Sequence, residues 1–382
     1  MRLTKAEFSG FGRLADTQIN LDHKVVAIVG PNEAGKTTLL RALAYVGNGK
    51  ALTVSERSRG FSDDIADEHT VVRVQYRLSS EDQAAVEHLD LTDSPTELWL
   101  SRTAGPGDVR IGVIPAPRKN LDSLASSLQV LKTAAADYIS GEPEDLDEGC
   151  TSLIGRLSTA LSTLRDNEEI DLEQQVREFA PANWIAEFNE YGLNDDILLA
   201  LEKVRDWVSK DDPAEEVEQI LYARSPAILL FSKADRNLES SYELTGETVK
   251  SPPAALRNIS MMAELSLEEL LRKIKNGDEG ARETLIEEAN QTLHDKFTQV
   301  WNQSNISVHL KINGRYLEIR IKQDGRRITR FDERSAGVQM FVALVGFLNM
   351  KGQTRPPILL IDEAEAHLHI DAQADLVNEF MT

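Results

Sequence analysis

The segment Gly30-Pro31-Asn32-Glu33-Ala34-Gly35-Lys36-Thr37 lies between an apolar run, Val25 to Val29, and a stretch from Lys36 to Tyr45 with Leu39, Leu40, Leu43 and Ala44 at helical spacing. Strand, glycine-bounded loop and helix in that order constrain the fold more than any other feature of the chain. The glycines permit a loop whose backbone N–H groups converge on one point, and the helix start adds partial positive charge there. Such a point suits a phosphate, and the spacing fits the loop that cradles the β-phosphate of a nucleotide. The expected ligand is ATP with Mg2+. Lys36 is expected to reach the β- and γ-phosphates and Thr37 to ligate the metal, with Gly30, Pro31, Asn32, Glu33, Ala34, Gly35 and Thr38 among the nucleotide-binding positions. The bland alternative is a glycine turn that matches by chance, and the flanking strand and helix count against it.

A phosphate loop needs an acidic residue on a neighbouring strand to hold the metal. Ile358-Leu359-Leu360-Ile361 reads as a short buried strand that delivers Asp362 and Glu363 at its carboxyl end. Asp362 is expected to hold magnesium, directly or through water, and Glu363 to polarise the attacking water as general base. Lys36, Asp362 and Glu363 form the expected catalytic set. Adjacent carboxylates at a strand end are otherwise often solvated turn residues, and it is the phosphate loop that favours the chemical reading here.

With 382 residues, of which 41% are hydrophobic, the chain can bury a sizeable core, and its length suggests roughly two or three domains or lobes. The single cysteine, Cys150, excludes an internal disulfide framework, fits a reducing compartment and is given no role. The first twenty or so residues lack the apolar core of a secretory signal, and no apolar run approaches the roughly 18 residues of a membrane span. The expectation is a soluble, cytoplasmic protein with no membrane partner. A formal charge of -21 opposes whole-surface attraction to nucleic acid, so any DNA contact must be local.

Along the chain, Arg2 to Phe8 and Thr17 to Leu21 read as strands about the turn Ser9-Gly10-Phe11-Gly12, and Val25 to Val29 as a third strand. Thr70 to Leu78 and Glu97 to Arg102 suggest a side sheet. From Lys119 to Tyr222 the sequence turns acidic and helical in period, without heptads sustained enough for a long coiled coil. Ala227 to Phe231 reads as a buried strand of the main sheet, and Ser266 to Trp301 as helix interrupted at Asn276-Gly277-Asp278. Ile306 to Arg330 reads as a three-stranded meander with Asn313-Gly314 and Asp324-Gly325 as primed turns. The expected organisation is residues 1–118 as a first lobe, 119–222 as a helical insertion used in dimerisation, and 223–382 as a second lobe.

Roughly 320 residues separate the phosphate loop from its acidic partner. That separation resembles the split ATPase heads of the structural-maintenance-of-chromosomes (SMC) proteins and of the overcoming-lysogenization-defect (OLD) family. The resemblance rests on Arg2-Leu3, Phe8 to Gly12, Ile19-Asn20-Leu21 and the phosphate loop, and again on Glu333-Arg334-Ser335-Ala336-Gly337-Val338-Gln339, which looks like the ABC signature. It implies an α/β fold, a P-loop ABC-type ATPase head split by a helical insertion, with a side sheet and meander. It also implies that Ser335 and Gly337 contact the γ-phosphate held by the opposite subunit, and that Arg13 lies near the nucleotide. The plain alternative for Ser335 is an ordinary helix N-cap. The family's heads continue to a further strand and a switch histidine, whereas this sequence ends about twenty residues after Asp362. The expectation is a shortened sequence, a head completed by another chain, or weak hydrolysis. No Toprim nuclease segment follows, so nuclease activity is not assigned to the chain.

Ala364-Glu365-Ala366-His367-Leu368-His369 resembles the segment leading into the D-loop of such heads. His367 and His369 are read as packing near the nucleotide, with Asp371 and Gln373 close by, rather than as metal ligands. Lys311, Arg315, Arg320, Lys322, Arg326, Arg327 and Arg330 form a basic patch that either solvates a sheet face or contacts nucleic acid or an acidic partner. Trp184, Trp207 and Trp301 are read as core or interface anchors. The functional expectation is a homodimer or higher homo-oligomer formed around ATP, which regulates a DNA-acting effector such as a nuclease in repair or phage defence. The alternatives are a nucleotide-sensing scaffold with little turnover, and a structural role carried by the helical insertion.

Overall fold

The computed structural model describes residues 1–47, 49–58, 65–140, 148–164, 172–191, 195–300, 306–350 and 357–362. The chain is mixed α/β. It opens with a hairpin of β1 (Arg2–Phe11) and β2 (Leu14–Asn20), paired antiparallel from Lys5 opposite Asn20 to Phe11 opposite Leu14. The connection is Gly12-Arg13 alone, so β1 runs through the segment expected to be its turn. Phe11 is buried and packs its ring 5.7 Å from that of Tyr45, which keeps the strand extended to that point.

Next come α1 (Lys36–Tyr45), β3 (Thr70–Arg77), α2 (Ser80–Ala84), β4 (Glu97–Thr103) and β5 (Arg110–Ile114). The five strands so far hydrogen-bond in the order β2-β1-β3-β4-β5. The run Val25 to Val29 forms no strand, and Val25, Val26 and Val29 are 49%, 40% and 87% exposed. Its β-branched residues favour extended backbone, but a strand exists only where a neighbouring edge offers hydrogen bonds.

The chain divides into two compact units. One takes Met1–Arg2, Gln75–Trp99 and Ile111–Ser225. Most of it is helical: α3 (Leu121–Ser140), α4 (Glu148–Thr163), α5 (Leu172–Phe179), α6 (Pro181–Tyr191), α7 (Asp195–Ser209) and α8 (Ala214–Arg224). Leu124, Leu128, Leu131 and Ala135 stripe one face of α3 and pack with Leu157, Leu161, Phe188, Leu201, Val204 and Trp207. Trp207 Nε1 donates to the Asn120 carbonyl at 2.9 Å, and the Lys119 ammonium lies 5.1 Å from the Trp207 ring centre. Trp184 stacks on Phe179 with ring centres 5.8 Å apart. Asp82, 3% exposed, accepts from the Met1 ammonium at 2.7 Å and from Arg224 Nε at 2.9 Å. Burial alone would raise its pKa. Hydrogen bonds from Met1, Ser79 and Arg224 outweigh that and hold the carboxyl well below the usual carboxylate range.

The other unit takes Leu3–Val74, Leu100–Arg110 and the chain from Pro226 onward. Its later elements begin with β6 (Ile228–Phe231), α9 (Lys233–Arg236), β7 (Ser241–Glu243), α10 (Gly246–Lys250), α11 (Ala254–Met262), α12 (Leu267–Asn276) and α13 (Glu279–Val300). They continue with β8 (Ile306–Asn313), β9 (Tyr316–Gln323), β10 (Arg327–Arg330), α14 (Ala336–Met350) and β11 (Ile358–Ile361). Gly277 separates α12 from α13 at φ +69°, a left-handed helix end that glycine adopts without strain.

β6 and β11 pair in parallel, with Ile228 opposite Ile358 and Phe231 opposite Ile361. Leu229, Phe231, Leu359 and Ile361 pack against Met340, Ala343, Leu344 and Phe347 of α14. The same two strands also contact α1. Cover on both faces accounts for the unbroken apolar runs in their sequences.

β9 is the centre of a second sheet, flanked by β8 on one edge and by β7 and β10 on the other. Gly314-Arg315 joins β8 to β9, one residue later than expected, because Asn313 stays in register with Tyr316 and its amide donates to Glu318 at 3.0 Å. Asp324 and Gly325 both take the left-handed φ of a primed turn, +53° and +66°. Val308, Leu310, Leu317, Ile319 and Ile321 bury one sheet face in a core shared with α11, α12 and α13. Asn290 of α13 bonds both the N–H of Leu310, at 2.6 Å, and its carbonyl, at 3.0 Å, and so seals that stretch of the β8 edge.

Candidate functional site

The loop 30–37 is solvent-facing and ends in helix α1. Gly35 caps α1 at φ +95°, where an added Cβ would meet nothing within 4 Å, so the space over the helix start is open. No side chain caps α1, and its first turn carries no carboxylate, which leaves its positive end to an external anion. The buried face of α1, Leu39, Leu40, Ala42, Leu43 and Tyr45, fixes the helix, and the Tyr45 hydroxyl donates to the Thr103 carbonyl at 2.9 Å.

Lys36 Nζ curls over the loop and donates to the carbonyls of Gly30, at 2.8 Å, and Pro31, at 3.2 Å. Glu33 takes a left-handed φ of +64°, and its carbonyl accepts a hydrogen bond from Arg13 Nη1. Arg13 reaches the loop because the β1–β2 turn sits against the start of α1. At Gly12, φ is +55° and an ideal Cβ would lie 2.8 Å from Thr38 Cγ2. Asn32 and Ala34 are exposed on the loop, and the Ala34 N–H donates to the Pro31 carbonyl at 3.2 Å.

Thr37 Oγ1 donates to Asp362 Oδ1 at 3.2 Å. Thr37 lies in the first turn of α1 and Asp362 directly follows β11, so helix and strand bring a hydroxyl and a carboxylate to one point. Both are hard oxygen donors, the set that magnesium takes from protein alongside phosphate and water. The residues present therefore fit Mg2+.

One contact was not foreseen in the sequence: Arg236 Nη1 donates to the Asp362 carbonyl at 3.0 Å. The available signal was Ser232-x-x-Asp235 directly after an apolar strand, a capping-box pattern that marks a helix start at the strand's end.

Ser335 is exposed at the start of α14, and its Oγ accepts from the Val338 N–H at 3.5 Å. Gly337 lies in the first turn of that helix, and the described hydrogen bonds of Ser335 run within it. Glu363, His367, His369, Asp371, Gln373 and Trp301 lie outside the described residues. Among the described residues no group of three or more His, Cys, Asp or Glu is placed to hold a metal.

Over residues 1–382 the sequence matches the AAA ATPase domain family. The chain belongs to that family. Among curated proteins none is significantly similar to it in sequence. Among solved structures, those similar to this AAA ATPase domain include SMC heads. The Smc head domain with an extended coiled coil, bound to the C-terminal domain of ScpA, from Pyrococcus furiosus shares 16% identity over 99% of this chain and 87% of that one, with a TM-score of 0.36. The SMC head domain from Thermotoga maritima shares 13% over 100% and 84%, with a TM-score of 0.34. The Smc head domain with a coiled coil and joint from Pyrococcus yayanosii shares 14% over 99% and 90%, with a TM-score of 0.35.

The ATPase domain carries a second charged feature. Between Ile306 and Arg330 there are seven Lys or Arg against two carboxylates, Glu318 and Asp324, in a chain of net charge -21. His309, Lys311, Arg320, Lys322 and Arg330 share the sheet face opposite the buried one, with Arg320 between His309 and Arg330. Burial first, then the positive charge of Lys322, Arg320 and Lys311, lowers the His309 pKa, against an opposing pull from Glu287. Two nitrogens of Arg320 donate to one Glu318 oxygen at 2.6 and 3.0 Å, and Arg330 pairs with Asp332 at 2.9 Å. No helix among the described residues is long and apolar enough to cross a membrane.

Proposed function

We propose that this AAA ATPase domain binds ATP with magnesium, hydrolyses it, and works as an ABC-type head that dimerises around the nucleotide. The observation that carries this reading is the meeting of Thr37 Oγ1 and Asp362 Oδ1 at 3.2 Å beside an uncapped helix start. Backbone N–H groups of the loop after Pro31 and of the start of α1 bind the phosphates, and Lys36 leaves the Gly30 and Pro31 carbonyls to meet the β- and γ-phosphates. Thr37 and Asp362 hold the metal, which when bound neutralises charge that develops on the phosphates. Glu363 accepts a proton from the attacking water. Arg13, tied to the Glu33 carbonyl, steadies the loop near the nucleotide. Ser335, just ahead of α14, and Gly337, in its first turn, meet in the dimer the γ-phosphate bound by the other copy.

The biological setting rests on the motif resemblance to SMC-like and OLD-like heads: regulation of a DNA-acting effector, a nuclease for example, in repair or phage defence. Charge supports a nucleic-acid contact that is local to the β8–β9–β10 face of so acidic a chain.

The test is the molar mass in solution, by light scattering, with and without magnesium and ATP, for the native protein, Glu363→Gln and Lys36→Ala. The expected result is that Glu363→Gln associates further with ATP while Lys36→Ala does not. A mass unmoved by nucleotide in all three sinks the dimerising head and favours a scaffold whose association does not respond to nucleotide.

A further inference from the structure

Asp362 is held from behind as well as from the front. Its carboxylate meets Thr37, and its backbone carbonyl accepts the Arg236 guanidinium at 3.0 Å. Arg236 ends α9, which begins directly after β6, and β6 lies in parallel register with β11, Phe231 opposite Ile361. Adjacent parallel strands carry their C-terminal ends to the same sheet edge, so a residue of the short helix after one strand can tie down the residue just beyond the other.

α9 is itself fixed in place. The N–H and Oγ of Ser232 donate to Asp235 Oδ2 at 3.1 and 2.6 Å, which closes a capping box. The second Asp235 oxygen accepts from Asn258 Nδ2 at 3.2 Å, and Asn258, on α11, is 1% exposed. A buried amide that bonds the capping carboxylate gives α9 one orientation. Continuous bonding therefore runs from the buried face of α11 through Asp235 and Arg236 to the residue expected to hold the metal.

We propose that Arg236 is a positioning residue for Asp362: by bonding its carbonyl it sets the direction in which the carboxylate faces Thr37, and so tunes the affinity of the phosphate-loop site for magnesium. This inference rests on the ATP–magnesium reading above. A partner that orients a metal-holding group from outside the coordination sphere typically carries about 10- to 100-fold in metal affinity or activity.

The experiment measures the dissociation constant of a fluorescent ATP analogue, with EDTA and with magnesium, on the full chain and on Arg236→Ala, Arg236→Gln and Arg236→Lys, alongside thermal melts. The expected result is that Arg236→Ala loses about tenfold of the affinity gained from magnesium, that Arg236→Lys keeps more of that gain, and that binding in EDTA is unchanged. Equal magnesium gain in the native chain and all variants overturns the inference and leaves the ATP–magnesium site standing. An equal loss with EDTA and with magnesium overturns it too, since Arg236 would then support the fold alone. A native chain that gains nothing from magnesium brings down the metal site itself. Should Arg236→Ala fail to fold, Arg236→Gln and Arg236→Lys, which keep a donor, carry the same comparison.

Discussion

Thr37 and Asp362 lie 325 positions apart in the chain and meet at 3.2 Å, hydroxyl to carboxylate. A magnesium site built from this pair makes distinct demands on the two side chains. Thr37→Ser keeps the oxygen and is expected to keep magnesium-dependent turnover. Thr37→Ala removes it, and Asp362→Asn removes the charge; each is expected to lower that turnover by about 100-fold while nucleotide binding in EDTA persists. Phosphate release across a magnesium titration checks this, and Thr37→Ala turning over like the native protein would refute the pairing.

Gly12 is the point at which the β1–β2 turn meets α1. Gly12→Ala places a methyl group in a left-handed φ of +55° and within 2.8 Å of Thr38 Cγ2. The expected cost is about 1–3 kcal/mol in stability. Thr38→Ser in the Gly12→Ala background removes the opposing methyl and is expected to recover the contact part of that loss, leaving the backbone part. Thermal melts of the two single variants and the double variant give the coupling; strict additivity would mean that the two residues do not touch.

Asp82 ties stability to pH. Its carboxyl titrates lower in the folded chain than in the unfolded one, where an aspartate has a pKa of about 3.9. The stabilisation is therefore complete above that unfolded value and is lost progressively as pH falls below it toward the folded pKa. Asp82→Asn removes the charge that faces Arg224 and the Met1 ammonium and turns one of its two acceptor oxygens into a donor, and is expected to cost about 2–4 kcal/mol near neutral pH. The gap in melting temperature between native and Asp82→Asn proteins should narrow from pH 6 to pH 3. A gap that widens on acidification would show that the carboxyl is not held low.

Features set by a few neighbouring residues were legible in the sequence. Gly277 marks the end of α12 because left-handed backbone there favours glycine, and Asp324-Gly325 marks a primed turn for the same reason. The apolar runs of β6 and β11 could be read as strands because both faces of each are covered. Where pairing decides the outcome, local pattern was insufficient. Val25 to Val29 has strand propensity and no strand, and β7 is too short to announce itself without β9 beside it. Within the candidate site, the loop and Asp362 stand out by motif. Arg236 does not, because its value depends on β6 lying next to β11, which no spacing in the sequence encodes.

The sheet face of β8, β9 and β10 makes the last prediction, which concerns nucleic acid. Along a strand, alternate residues recur every 6.8 Å or so on one face, and neighbouring strands lie about 4.8 Å apart, so the cations there form a dense array in an otherwise acidic chain. Lys311 and Lys322 lie on that face, and replacing both with glutamine removes two charges without touching the buried side of the sheet. Binding of a labelled DNA duplex, followed by anisotropy across a salt series, should weaken in the double variant, and the slope of log K against log salt should fall by about 1.8, or 0.9 for each phosphate contact. Glu318→Gln should act in the opposite sense, because it removes the negative charge that pairs with Arg320. A salt slope identical in all three proteins would mean that the face only solvates the sheet. A face that binds an acidic protein and not DNA would respond to the same substitutions with no change in duplex affinity.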